Sequence, residues 1–154
     1  ASLMVRKKVL DELGGYDESL AYEDFDFWVR SSRNYKYAYL DASLVKHRKF
    51  KGSLSTMFLR SGKESMLETT YKVCCKALWL NKNADENHAL CQRLYYEMKQ
   101  TFFMENFALA KKYRQLIKEA GRVSFRSSVI SLLSDMKFRT NWLYAFYLRM
   151  KGRL

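Results

Sequence analysis

The strongest constraint on the fold is the absence of proline from all 154 residues, combined with helical periodicity in five successive segments of the second part of the chain. Proline breaks helices because its ring clashes with the preceding turn and it has no N–H donor. The five segments are 54–80, 86–104, 106–120, 124–137 and 140–151. We therefore predict a long helical extension, in which 86–104 and 106–120 form a helical hairpin.

The first third of the chain has a different pattern, with short runs that are typical of strands. Residues 1–5, 35–40 and 42–46 are rich in apolar, aromatic or β-branched side chains, which favour extended structure. The predicted fold class is therefore α+β, with strands and helices in a first domain over residues 1–53. A second, helical domain is predicted over residues 54–154.

Two further segments of the first domain show helical spacing. Val9, Leu10 and Leu13 share one face of a predicted helix over residues 6–13. Gly14 and Gly15 follow, and they should end that helix because glycine accepts the left-handed conformation of a helix cap. The second predicted helix covers residues 22–34.

The charge of the chain is unevenly distributed. Residues 1–50 contain nine Lys or Arg and eight Asp or Glu, whereas residues 51–154 contain 19 and eight, so nearly all of the net charge of +12 lies in the second part. No apolar run approaches the roughly 18–20 residues that span a bilayer. The three cysteines match neither a disulfide framework nor a zinc motif, which favours a cytosolic protein.

Acidic residues cluster where a loop meets the second predicted helix: Asp17, Glu18, Glu23, Asp24 and Asp26. The positive end of the helix dipole stabilises carboxylates at a helix start, so structure alone could explain one or two of them. Asp26 and Arg30 have the i,i+4 spacing, with the acid first, that favours an ion pair within the helix.

This segment resembles the signature region of family 2 glycosyltransferases, which have the GT-A fold. The resemblance lies in Gly-Gly-Tyr-Asp-Glu-Ser-Leu at residues 14–20 and Glu-Asp-Phe-Asp-Phe-Trp-Val-Arg at residues 23–30. The lead-in at residues 2–7 and the closing Leu-Val-Lys-His-Arg at residues 44–48 also fit. The likeness covers residues 1 to about 55 and implies short strands and helices from the carboxy-terminal half of a GT-A domain.

The resemblance implies a role for each matching residue. Asp24 is similar to the general base that takes the proton of the acceptor hydroxyl as that oxygen attacks the anomeric carbon. Asp26 and Arg30 would support the site rather than react. The implied acceptor-binding residues are Asp17, Tyr22, Glu23 and Trp28. The helical spacing of Trp28 is more typical of a core residue than of an acceptor contact.

A metal and a diphosphate site are implied by the basic loop that follows the predicted strands. His47 would ligate Mn²⁺ or Mg²⁺ in the full-length enzyme, and Arg48 would contact the donor diphosphate. A surface histidine in a basic loop explains His47 equally well, and a solvated surface cation explains Arg48 slightly better than a diphosphate contact. No metal is expected to bind to the fragment alone.

The donor-binding half of such an enzyme has no counterpart in this sequence, which also begins Ala-Ser-Leu rather than with methionine. We therefore expect a carboxy-terminal fragment that is inactive alone. The full-length enzyme would be an inverting glycosyltransferase that moves a sugar from a nucleotide-sugar donor to a polysaccharide or glycolipid acceptor. It would be cytoplasmic or peripheral at the inner face of the membrane.

The end of the chain suggests a membrane contact. Residues 137–154 combine Trp, Tyr, Phe and Leu with five Lys or Arg, a composition that suits an anionic membrane surface. A helix that packs its aromatic face on the preceding helices is the alternative. A basic helical binding module that docks to a membrane, a partner protein or nucleic acid is the alternative function. Nucleic acid is disfavoured because the cations are spread over five predicted helices without a recognition motif.

Overall fold

The computed structural model describes residues 3–46 and 63–140, with side chains in the second range from residue 66. The described residues contain six helices and no strand. The helices are α1 (Lys7–Leu13), α2 (Glu23–Ser31), α3 (Lys63–Leu80), α4 (Ala84–Phe103), α5 (Phe107–Glu119) and α6 (Phe125–Asp135). Their chain contacts define two compact units, residues 1–80 and residues 81–154.

The predicted α+β fold class is therefore wrong for the described residues, which are all-helical. Residues 3–6 and 35–46 form no ladder. Instead, Ala42 N–H donates to the Leu40 carbonyl at 2.9 Å and Leu44 N–H donates to the Ala42 carbonyl at 3.0 Å. These i to i+2 bonds are the pattern of tight γ-turns.

The failure of the strand prediction has a physical reason. Aromatic and β-branched residues favour strands because they pack well on a pleated, half-buried surface, so their preference needs a neighbouring strand. Within the described residues no strand is available to pair with 35–46, and Tyr39, Leu40 and Leu44 remain 89%, 68% and 70% exposed.

The helix predictions were accurate to within a few residues. The predicted glycine stop is confirmed, because Gly14 adopts the left-handed conformation with φ of 70° at the end of α1. Gly15 N–H donates to the Leu10 carbonyl at 2.8 Å. Helix α2 ends at Ser31 rather than near Asn34, and α3 begins at Lys63, with residues 54–62 outside the described part. The helix predicted over 140–151 also lies largely outside it.

The first unit is built from α1, α2 and α3. Phe27 is 1% exposed on α2, while Val73 and Cys74 are completely buried on α3. Helix α2 packs against α3, and α1 contacts α2. These apolar contacts therefore hold α3 against α2, the helix that carries the acidic cluster.

The second unit contains the predicted helical hairpin of α4 and α5, with α6 packed on both. Asn83 and Asn106 begin α4 and α5 as side-chain caps, accepting from Glu86 N–H at 2.9 Å and Leu109 N–H at 3.1 Å. A cap of this kind satisfies an N–H that has no partner within the helix. The hairpin core includes Leu94, Met98 and Tyr113, none of which is exposed.

None of the described helices combines the length and the apolar composition that a bilayer span requires.

Candidate functional site

A buried carboxylate lies at the centre of the first unit. Asp26 on α2 is completely inaccessible to solvent, and each of its oxygens accepts from a different cation. Arg30 Nε donates to Oδ2 at 2.7 Å, and Lys76 Nζ on α3 donates to Oδ1 at 2.8 Å. Burying a charge is costly unless it is paired and hydrogen-bonded, as Asp26 is. The ion pair predicted from the spacing of Asp26 and Arg30 is present.

Arg30 also joins α2 to the end of α1. Its Nη1 donates to the Leu13 carbonyl at 2.6 Å, and its Nη2 donates to the Gly15 carbonyl at 2.7 Å. The left-handed Gly14 lies between these two carbonyls in the chain. A planar guanidinium has enough donors to bond the carboxylate and both carbonyls together, which a lysine ammonium could not reproduce in the same geometry.

Lys76 extends the network from Asp26 to the acidic loop. Its Nζ donates to Asp17 Oδ2 at 3.0 Å, while Asp17 Oδ1 accepts from the Ser19 backbone N–H at 3.2 Å and from the Ser19 hydroxyl at 2.6 Å. The hydroxyl of Ser19 and then the ammonium of Lys76 lower the pKa of Asp17 to about 2. Burial alone would lower the pKa of Lys76, but the hydrogen bonds to Asp26 and Asp17 outweigh it and raise that pKa.

Sequence reasoning missed Lys76. It lies 50 residues after Asp26, on α3. The periodicity of that segment predicted a helix but not which residues the helix would contact. Thr69, on the same helix, accepts weakly from the Ala21 N–H at 3.4 Å and was missed as well. A partner at such a sequence distance leaves no local signal, because only the packing of α3 on α2 places it.

Asp24 differs from Asp26 although only one residue separates them. It lies in the first turn of α2 and is partly exposed. Within residues 3–46 and 66–140, no hydrogen bond or ion pair engages its carboxylate. The neighbouring Glu23 is exposed. The network therefore neutralises Asp26 and Asp17 and leaves Asp24 open at the helix start.

An open apolar groove of about 460 Å³ runs along α2 beside this helix start. Its lining residues are Leu3, Phe25, Trp28, Val29, Ser32 and Tyr37. Trp28 is 37% exposed, so it is neither a core residue nor fully solvated. Trp28 follows Asp24 by one helical turn, which places the two on the same side of α2. Tyr22 begins the helix, and its ring lies 5.3 Å from that of Phe25.

The predicted metal and diphosphate residues, His47 and Arg48, lie outside the described residues. In the part of the chain that is described, no three His, Cys, Asp or Glu side chains are grouped as metal ligands. Asp17 and Asp26 already accept from cations and are not open ligands.

Comparisons with known proteins do not assign the chain to a family, because no family model, curated protein or solved structure matches it.

We expect Arg30→Met to lower the free energy of unfolding by about 3 kcal/mol, because a buried carboxylate loses one of its two cations and two carbonyls lose donors. Arg30→Lys should recover only part of this loss. Urea denaturation measures both. Lys8→Met is the matched control: Lys8 and Glu12 form an exposed i,i+4 pair at 3.6 Å, so the change should be below about 0.5 kcal/mol. Equal effects at the two sites would contradict the network.

The carboxyl group of Asp17 should titrate near pH 2 when followed by carbon NMR. Its pKa is lower in the folded state, so its stabilising contribution is present above the ordinary pKa of 3.8 and is lost as the pH falls through about 2. Ser19→Ala should raise the midpoint most, and Lys76→Gln should raise it less. A wild-type midpoint at 3.8 would exclude both contacts.

Proposed function

We propose that residues 3–46 form the acceptor side of a sugar-transfer site, in which Asp24 is the general base of an inverting glycosyltransferase. One observation supports this choice most directly. Of the three acids in the first turn of α2, Asp26 is buried and bonded to two cations, whereas Glu23 and Asp24 have no partner among the described residues. Of these two, Asp24 lies one helical turn before Trp28 of the apolar groove.

The groove along α2 supports a place for the acceptor. Its wall includes the exposed ring of Trp28, and aromatic faces suit the apolar faces of sugar rings. An acceptor lying on Trp28 would present a hydroxyl one helical turn away, towards Asp24. Tyr22 and Glu23, at the start of the same helix, would contact its edge.

The proposed step transfers one proton and one sugar. The acceptor oxygen forms a bond to the anomeric carbon, its proton passes to the Asp24 carboxylate, and the bond to the departing nucleotide diphosphate breaks. Attack from the side opposite the leaving group inverts the anomeric centre. A carboxylate positioned for this proton transfer contributes about 10²–10⁴ in rate.

The network of Asp26, Arg30 and Lys76 would hold this base in position. It joins the end of α1, the acidic loop, α2 and α3 through five hydrogen bonds from two cations. A general base must be held within hydrogen-bond distance of the hydroxyl whose proton it removes. The start of a packed helix holds a side chain in place better than a free loop does.

Under this proposal the residues that bind the nucleotide-sugar donor are not part of these 154 residues. The assay therefore uses the native-length protein with a panel of nucleotide sugars. Asp24→Asn keeps the shape of the side chain and removes the base, so kcat should fall by about 10²–10⁴ while the fold is retained. The control is Asp11→Asn, the same chemical change at an exposed acid on α1.

The two variants separate the outcomes. Loss of turnover in Asp24→Asn alone would support the assignment. Turnover that persists at the parent rate in Asp24→Asn would assign Asp24 to structure and require another base. The 154-residue chain alone should consume no donor, and turnover by it would contradict the proposal that donor-binding residues lie elsewhere.

A further inference from the structure

Helix α6 exposes a row of large apolar side chains, although two of its serines are buried. Ser127 and Ser134 are each 1% exposed, while Phe125, Leu132 and Met136 are 84%, 60% and 67% exposed. Together with Val129, these apolar residues follow a spacing of four, three and four, which places them in one stripe along the helix.

The packing of the second unit does not require this stripe. The Ser127 hydroxyl donates to the Ser124 carbonyl at 2.8 Å, and the Ser134 hydroxyl donates to the Ile130 carbonyl at 2.7 Å. The hydroxyls of both serines are satisfied within the helix, and Ile130 and Leu133 are half-buried. Helix α6 therefore packs on α4 and α5 while Phe125, Leu132 and Met136 stay exposed. A contiguous exposed apolar patch of this kind marks an interaction surface.

Positive charge surrounds the stripe at both ends. Four cations are exposed before, within and after the helix: Arg122, Arg126, Lys137 and Arg139. Of these, Arg139 pairs with Glu105 at 3.2 Å. The one acid between residues 121 and 140 is Asp135, which pairs with Lys111 at 2.7 Å. Downstream, residues 141–154 add three Arg or Lys and no acid to the sequence.

We propose that α6 lies in the interface of an anionic lipid bilayer, with the Phe125–Met136 stripe among the acyl chains and the flanking cations at the headgroups. Bilayer interfaces take up helices with an apolar face and cationic flanks, and binding increases with buried apolar area and with anionic lipid. The apolar stripe precedes the segment 137–154 in the chain, and it shares with that segment only the flanking cations Lys137 and Arg139. The proposal does not depend on the sugar-transfer chemistry.

The test is co-sedimentation of the full chain with phosphatidylcholine vesicles that contain or lack phosphatidylglycerol. Wild type should bind the anionic vesicles, and less so at high salt. Phe125→Ser combined with Leu132→Ser should weaken partition about tenfold or more, because two large apolar side chains no longer enter the bilayer. Arg126→Gln combined with Lys137→Gln should remove most of the preference for anionic lipid.

Trp79→Ser is the matched control, because Trp79 on α3 is 85% exposed but lies outside the stripe; its binding should equal wild type. Circular dichroism checks that each variant keeps its helices. Unchanged binding by the Phe125/Leu132 variant would overturn the proposal. A wild-type dimer in light scattering that this variant converts to a monomer, without vesicle binding by either, would also overturn it and assign the stripe to a second copy.

Discussion

The buried carboxylate of Asp26 determines how the first unit can be arranged. Its two oxygens accept from Arg30 on the same helix and Lys76 on another, and it is completely shielded from water. A buried charge with these partners cannot shift without exposing or unpairing one of them. The end of α1, the glycine turn, the acidic loop and α3 are therefore positioned by one group of side chains.

The same group separates two neighbouring acids into different environments. Asp26 points into the network, whereas Asp24, two positions earlier, remains at the exposed start of α2. A helix places residues two apart on nearly opposite sides, so one carboxylate can support the fold while the other stays available for chemistry. The general-base proposal depends on this separation.

Local features of the sequence predicted a large part of this arrangement. The periodicity located the helices, Gly14 ended α1 as its conformational freedom predicts, and the i,i+4 spacing of Asp26 and Arg30 predicted their ion pair. Each of these depends on residues within one or two turns of each other. The assignments of Asp24 as base and Trp28 as an acceptor contact remain predictions, and His47 and Arg48 lie outside the described residues.

The features that sequence reasoning missed depend on contacts between distant residues. Lys76 reaches Asp26 only because α3 packs on α2. The strands predicted over 35–46 failed because β-propensity requires a partner strand, and none pairs with them in the described residues. Helix α6 shows a related limit: periodicity predicts that it has an apolar side, but not that its serines face the hairpin.

The unfolding free energies of Asp24→Asn and Asp26→Asn show whether Asp26 supports the fold and Asp24 does not. Both substitutions remove one charge without changing the size of the side chain. We expect Asp26→Asn to lower the free energy of unfolding by about 3 kcal/mol, because Arg30 and Lys76 lose their buried counter-charge. Asp24→Asn should lower it by less than about 1 kcal/mol, which is what a charge at a helix start contributes. Equal losses, or a larger loss at Asp24, would show that Asp24 supports the fold as much as Asp26 does.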